Sequence, residues 1–274
     1  MQFSCLISTF VKDCPKQLEE ALESLIKQTL PATEIIFVED GKLSIELNLV
    51  LEKYQVLLPI KRIPLKENKG LGNALNIGLK ECSNNLVFRM DTDDICHPQR
   101  FEKQIQYLEL HPDIDILGTW AKDIDDEGNI IGERTFPTSH KDLLNIMWTC
   151  PVAHPTILFK RDAILEVGSY KGDLKRRQDY ELWFRAASKG LIFGNVPEYL
   201  LYYRFTPNFY KKNNFKVSWQ ETKMGINGLR KLKVRRPLPY LAMFYPIVRS
   251  LLPYSLAKHL QELAGKLDPR KTKT

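Results

Sequence analysis

The sequence predicts an α/β fold: a mostly parallel sheet flanked by helices, then a basic, mainly helical C-terminal tail. Three observations predict it. Short apolar runs rich in β-branched residues alternate with helical patterns of about 10–15 residues over the first 110 positions. Two of these runs end in acidic residues, Glu39-Asp40 and Asp91-x-Asp93-Asp94, as expected where ligands meet the carboxyl ends of parallel strands. Charge is also uneven. The chain carries +7 overall, yet Phe205 to Thr274 holds 15 Lys/Arg against three Asp/Glu, which leaves residues 1–204 net acidic.

The elements follow in order. "FSCLISTF" reads as a buried strand, and Lys16 to Gln28 as a helix with Leu18, Ala21, Leu22, Leu25 and Ile26 on one face, stopped by Pro31. "EIIFVEDG" is a second strand, Leu43 to Tyr54 a helix, "IKRIPL" a third strand, and "GLGNALNIGLKECS" a helix. "NLVFRMD" is a fourth strand, and Pro98 to Leu110 a helix with proline near its first turn. After His111 the rhythm changes. "DIDILGTWAKDIDDEGNIIGERTFP" gives two strands around an Asp-Glu-Gly-Asn turn, and "PTILFK" another strand between helical stretches at Ser139–Trp148 and Asp162–Val167. "RRQDYELWFRAASKG" is a helix closed by glycine, and "LIFGNVPEYLLYYRF" is again strand. With no repeat or low-complexity linker, residues 1–204 read as one domain and 205–274 as a separate basic region.

Composition excludes several classes. The five cysteines are scattered without a CxxC pair, so no zinc or dithiol site is signalled, and an odd set suits a reducing compartment. The N-terminus lacks a basic n-region with an apolar core, and no uncharged apolar run reaches about 18 residues, so neither a signal peptide nor a spanning helix is expected. "KGLGNAL" matches neither GxGxxG nor GxxxxGK[ST], which argues against dinucleotide and P-loop sites. Without a phosphate loop, acidic residues bind a phosphorylated ligand through a divalent metal, because carboxylate oxygens are hard ligands for Mg or Mn. The bland reading of Asp91–Asp94 is a solvated turn and helix cap; that of Asp40 is a turn aspartate before Gly41.

The ordered set "CLISTF", "LESLIKQTLP", "EIIFVEDG", "NKGLGNALNIGL", "FRMDTDDICHPQRFEKQ" and "RRQDYELWFRAASKG" resembles family 2 glycosyltransferases of the GT-A (Rossmann-like) fold, in the bacterial branch that builds lipopolysaccharide, capsule and exopolysaccharide. The match spans roughly residues 2 to 205. It implies an inverting, metal-dependent transfer of one sugar from a nucleotide-sugar, UDP-galactose being the donor to try first, to a saccharide acceptor. Thr9, Asp40, Asn68, Gly70, Asn76, Asp91 and Asp93 fall at the family's nucleotide-sugar contacts, with Gly78 in the same segment. Asp93 and Asp91 correspond to its D-x-D metal ligands, supported by Asp94 and Arg100. Asp179 corresponds to the catalytic base, although Gln178 replaces the usual preceding glutamate. The Q-x-x-R-W motif of processive synthases is absent, in keeping with single-sugar transfer. His154 falls near the acceptor cleft, Tyr203-Arg204 at the structural end of the last strand, and Arg176 and Arg177 at either a phosphate contact or a solvated helix start. Trp148 and Trp183 read as core.

Each of these positions has a plainer alternative: Asp179 a surface helix residue, His154 a packed turn histidine. Two rival functions stand beside the enzyme: a non-catalytic nucleotide-sugar-binding protein and a sugar nucleotidyltransferase. The basic tail mixes Lys/Arg with leucines and aromatics. That suits an anionic membrane surface, hence a cytoplasmic protein peripheral on the inner face of the plasma membrane. No nucleic-acid motif accompanies the charge.

Overall fold

The computed structural model describes residues 1–205 and 215–266. Its centre is a sheet in which β1 (Ser4–Thr9), β2 (Glu34–Glu39), β3 (Ile60–Pro64) and β4 (Leu86–Met90) run parallel in the order β3-β2-β1-β4. The order reverses at β1, so a crevice opens beyond the carboxyl ends of β1 and β4, the place where open α/β sheets bind ligands. Thr9 ends one strand there and Asp91 follows the other.

Beyond β4 the sheet becomes mixed. β8 (Leu158–Lys160) lies antiparallel between β4 and β6 (Ile116–Ile124), and β6 runs parallel to β9 (Phe193–Arg204). β5 (Ile95–Cys96) pairs antiparallel with β9, and β7 (Ile130–Arg134) with β6. The β6–β9 register shifts around Trp120, where Pro197 interrupts β9. A proline cannot donate to the ladder, so a bulge there is the expected accommodation.

Two cores form on opposite faces because side chains alternate along each strand. On β1, Cys5 and Ile7 face one core and Leu6 the other; on β2, Ile35 and Phe37 oppose Ile36 and Val38. The first core is covered by α1 (Pro15–Ile26), α2 (Ile45–Gln55) and α4 (Arg100–Leu110). The sequence reading started that last helix at Pro98; Pro98 and Gln99 form a turn before it. The second core is covered by α3 (Leu71–Glu81) and α7 (Gln178–Ser188), whose Trp183 is fully buried, with Trp148 packed at its margin.

Between these elements lie two short helices, α5 (His140–Asn145) and α6 (Arg161–Glu166). The C-terminal region is helical where it is described: α8 (Phe215–Lys231), α9 (Pro237–Ala242), α10 (Tyr245–Leu251) and α11 (Tyr254–Lys266). Leu229 of α8 and Met243 after α9 join the second core, so the start of this region packs on the body. No described helix is long and apolar enough to cross a membrane.

Gly78 lets α3 lie close to the sheet. A Cβ there would sit 2.4 Å from Leu6 Cδ1 and 2.7 Å from Val38 Cγ2. Gly78→Ala therefore overpacks the second core and is expected to cost about 1–3 kcal/mol in urea unfolding. An unchanged midpoint would show that α3 can retreat freely.

Candidate active site

The crevice at β1 and β4 is a cavity of about 350 Å³. Four aspartates line it, Asp13, Asp40, Asp91 and Asp93, and no lysine or arginine does so among the described residues. Each has a different local origin. Asp40 caps β2, and its carboxylate accepts from the backbone N–H groups of Lys69 (2.6 Å) and Gly70 (2.9 Å). Gly70 holds φ +83° at the start of α3, a left-handed conformation in which a side chain is strained. The Asn68 amide donates to the Asp40 carbonyl (3.1 Å), closing this corner.

Asp13 was not singled out in the sequence. Its Oδ2 accepts from Thr9 Oγ1 (2.8 Å) and Thr92 Oγ1 (2.9 Å), and so ties the loop after β1 to the middle of the D-x-D segment. Thr9 is buried and spends its hydroxyl on this bond. Burial raises the Asp13 carboxyl, while the two threonine hydroxyls pull it back.

Asp91, Asp93 and Asp94 offer carboxylate oxygens within 4.8 Å of one another. Asp93 opens to solvent at the cavity, Asp91 is half-buried, and Asp94 is buried. Asp94 Oδ1 accepts from the backbone N–H of Arg204 (2.8 Å), while its Oδ2 has no partner. Burial pushes Asp94 well above the ordinary carboxylate range, and the charges of Asp93 and Asp91 add to it. Asp93 is also raised, by partial desolvation at the cavity wall and then by Asp91. An open Asp93, a half-buried Asp91 and the unpartnered Oδ2 of Asp94 are a donor set that fits a hard divalent ion.

Two arginines oppose this negative charge. Arg89, on β4, is 1% exposed and pairs through Nη2 with Asp91 Oδ1. Its Nε and Nη1 have no partner. Arg204, at the end of β9, donates to the carbonyls of Asp93 (2.8 Å), Asp125 (2.7 Å) and Asp126 (2.9 Å), and to Glu20 (2.6 Å). A third, Arg100, is fully buried and donates to the Arg89 carbonyl (2.9 Å), bracing β4 from below. The sequence carried a signal for Arg89: a cation inside an apolar strand must find a counter-charge.

A second cavity of about 370 Å³ adjoins the first and shares Leu71, Asp91 and Tyr203 with it. Asp179 lines it from the first turn of α7, and His154 and Arg89, from before β8 and from β4, line it too. Burial raises Asp179, opposed by the Arg177 charge, and Cys150 Sγ lies 4.0 Å from its Oδ2. His154 Nε2 meets Tyr170 Oη at 2.9 Å, and burial, then Arg89, lowers its pKa, so the ring is neutral. Asn76 lies outside both cavity walls. Its amide clamps the Tyr170 backbone from both sides, donating to the carbonyl (2.7 Å) and accepting from the N–H (2.9 Å). Gly78 serves packing, as above. The structure thus brings Thr9, Asp40, Asn68, Gly70, Asp91 and Asp93 to one cavity and Asp179 and His154 to its neighbour.

A parallel sheet with its switch-point crevice walled by aspartates, beside a second cavity holding a half-buried carboxyl, defines a GT-A-type glycosyltransferase. The chain belongs to glycosyl transferase family 2, whose model matches residues 4–168. It is 37% identical over 265 residues to the amylovoran biosynthesis glycosyltransferase AmsE of Erwinia amylovora, covering 95% of this chain and 98% of that one. It is 35% identical over 215 residues to an Escherichia coli UDP-Gal:alpha-D-GlcNAc-diphosphoundecaprenol beta-1,3-galactosyltransferase, covering 77% of each. Among solved structures, S. aureus TarS 1-349 superposes with a TM-score of 0.70 at 21% identity, over 98% of this chain and 80% of that one. That last likeness concerns the fold.

The buried Asp94 gives a pH test. Its folded-state pKa is raised above the unfolded value of about 3.9. The folded state therefore keeps a proton that the unfolded chain has lost, and wild-type stability drains away as pH rises from about 4. Asp94→Asn keeps an acceptor for Arg204 N–H but cannot ionise. Its stability relative to wild type should climb with pH, by at most about 1.4 kcal/mol per unit. A difference that stays constant from pH 4 to 8 in metal-free denaturant titrations would refute this.

Proposed function

We propose that this enzyme transfers a single sugar from a UDP-sugar to a lipid-linked saccharide in the assembly of a bacterial surface polysaccharide, with inversion at the anomeric carbon. One observation carries the reading: a cavity whose charged lining, among the described residues, is four aspartates meets a second cavity at Asp91, and a half-buried carboxyl, Asp179, stands in the second. The names of the E. coli and E. amylovora relatives support the donor, acceptor and pathway classes. UDP-galactose is the first donor to try.

The nucleotide diphosphate belongs in the first cavity. Four aspartates repel it unless a cation intervenes, so Asp93 and Asp91 would hold a divalent ion, Mn or Mg, which supplies charge neutralisation for the departing diphosphate. Thr9, Asp40, Asn68 and Gly70 shape the nucleoside end. The acceptor sugar occupies the second cavity, with His154 as a neutral hydrogen-bonding contact. Asp179, raised by burial, takes the proton from the acceptor hydroxyl as that oxygen attacks. Attack from the second cavity and departure into the first are on opposite sides of the anomeric carbon, which is why the configuration inverts.

Asp179→Asn should lower kcat at least about 100-fold while UDP binding in Mn is unchanged, and Asp93→Asn should lose metal-dependent UDP binding. Wild-type transfer should also fall on an acid limb above the ordinary carboxylate range, because the raised base is protonated there. Transfer of a labelled sugar to a lipid-extract acceptor pool, followed with and without EDTA, tests the whole reading. Full activity in Asp179→Asn would remove the base assignment. UDP binding without turnover on any acceptor would favour the non-catalytic reading, and release of pyrophosphate the nucleotidyltransferase.

The lipid-linked acceptor is consistent with the C-terminal region. Leu238, Leu241, Phe244, Val248 and Leu251 are exposed along α9 and α10, beside Arg235, Arg236 and Arg249. An apolar face edged with cations suits the interface of an anionic bilayer, each cation contributing about 1 kcal/mol. Flotation with phosphatidylglycerol vesicles should be lost in Leu241→Glu/Leu251→Glu and weakened by salt. Equal flotation of the variant would exclude this face.

A further inference from the structure

The acidic segment after β4 holds its two ion-facing carboxylates by unequal means. Asp91 is held by its pair with Arg89. Asp93 has nothing comparable: among the described residues its carboxylate bonds only to its own backbone N–H. It also repels Asp91 and Asp94, whose ligand oxygens lie within 4.8 Å of its own. A carboxylate beside two like charges swings away from them unless the backbone aims it. What aims Asp93 is therefore the chain on either side. On the C-terminal side, Arg204 fixes the Asp93 carbonyl (2.8 Å) and the Asp94 carboxylate (2.8 Å). On the N-terminal side stands Thr92.

Thr92 is 7% exposed, and its hydroxyl donates to Asp13 Oδ2 (2.9 Å). The same Oδ2 accepts from Thr9 Oγ1 (2.8 Å) and from the Phe10 N–H (3.2 Å). The Asp13 N–H in turn donates to the Phe10 carbonyl (3.0 Å). Asp13 is thus fixed by the turn that leaves β1, a strand paired on both edges and so a firm base. Three donors converge on one carboxylate oxygen, and two of them belong to the β1 side while the third is Thr92. A carboxylate is a demanding choice of anchor, because it adds a fourth acidic group to the cavity of Asp40, Asp91 and Asp93.

We infer that Asp13 is a positioning residue for the ion site: through Thr92 it aims Asp91 and Asp93 at a common point, and the tightness of divalent-ion binding depends on this bond. Asp13 touches no ion in doing so. The inference rests on the donor reading of the first cavity and adds what prepares that cavity for its ion. Residues 91 and 93 flank Thr92, so a backbone rotation at Thr92 changes the separation of the two carboxylates directly. Divalent ions need several oxygens at short, set distances, and Mg in particular demands near-ideal geometry. A partner that holds the ligands from behind therefore governs affinity. Because Thr9 shares the same oxygen, a shift of the wall assigned to the nucleoside reaches the ion site through one atom.

Mn binding to the full chain, read from the electron paramagnetic resonance signal of free Mn, tests this without substrate or turnover. Thr92→Val keeps the shape and charge of the site and removes the bond. It should weaken Mn at least about tenfold, the lower end for loss of a partner behind a metal ligand, and Thr92→Ser should recover most of that loss. UDP binding by Thr92→Val should return when Mn is raised in proportion, which also shows that the variant is folded. Asp13→Ala removes the anchor and a charge together, so the decisive comparison is the double variant. Adding Thr92→Val to Asp13→Ala should cost less than about twofold, since the bond is already gone. The inference is overturned if Thr92→Val binds Mn as tightly as wild type, if Thr92→Ser binds it as poorly as Thr92→Val, if raised Mn fails to restore UDP binding, or if Thr92→Val costs the same on both backgrounds. Any of these, with wild-type Mn binding intact, leaves the donor reading of the first cavity standing. Absence of Mn binding by wild type would overturn that reading and this inference together.

Discussion

Three carboxylates crowd the end of β4, and much of the surrounding fold is organised by what offsets their repulsion. Arg89 supplies a buried counter-charge from within the same strand. Arg204 supplies another from the far end of β9, and its backbone and side chain both grip the Asp93–Asp94 segment. Arg100 fixes the Arg89 carbonyl, and Asp13 anchors Thr92. Charge balance is still incomplete: Asp94 Oδ2 and two nitrogens of Arg89 are buried without partners. Unpaired buried polar atoms are costly, and three of the seven found among the described residues lie here.

The sheet explains how these distant groups meet. Parallel β1 and β4 place Thr9 and Asp91 at one rim. The antiparallel pairing of β5 with β9 then brings Arg204 beneath the acidic loop. Bulging around Pro197 separates the inner half of β9, which packs the core, from the outer half, which carries Tyr203 and Arg204 to the site. Tyr203 closes the rim where the two cavities join, with the Arg134 guanidinium 4.1 Å over its ring.

Asp179 and the acidic loop are held in register by a second set of long-range bonds. Asn76 of α3 clamps the Tyr170 backbone, Tyr170 meets His154, and Asn73 donates to the Gly172 carbonyl (3.1 Å). The helix that flanks the first cavity thereby positions the loop leading to α7. In the proposed mechanism that geometry matters because a proton acceptor must sit within hydrogen-bond reach of the attacking hydroxyl.

The sequence by itself determined the order of elements, the acidic strand ends and the family pattern, because periodicity, turn residues and spaced motifs are local properties. Asp40, Asp91, Asp93 and Asp179 were legible for that reason. Tertiary structure decided the rest. It split the acidic run into an open Asp93, an Asp91 paired with Arg89 and an Asp94 buried on Arg204. It gave Asn76 to Tyr170 rather than to a cavity wall, and made Asp13 the link between two loops. Apart from Arg89 and Asp91, which lie two residues apart, those partners lie roughly 80 to 110 residues apart, as between Asp13 and Thr92 or Asp94 and Arg204, and no local pattern encodes such a pairing.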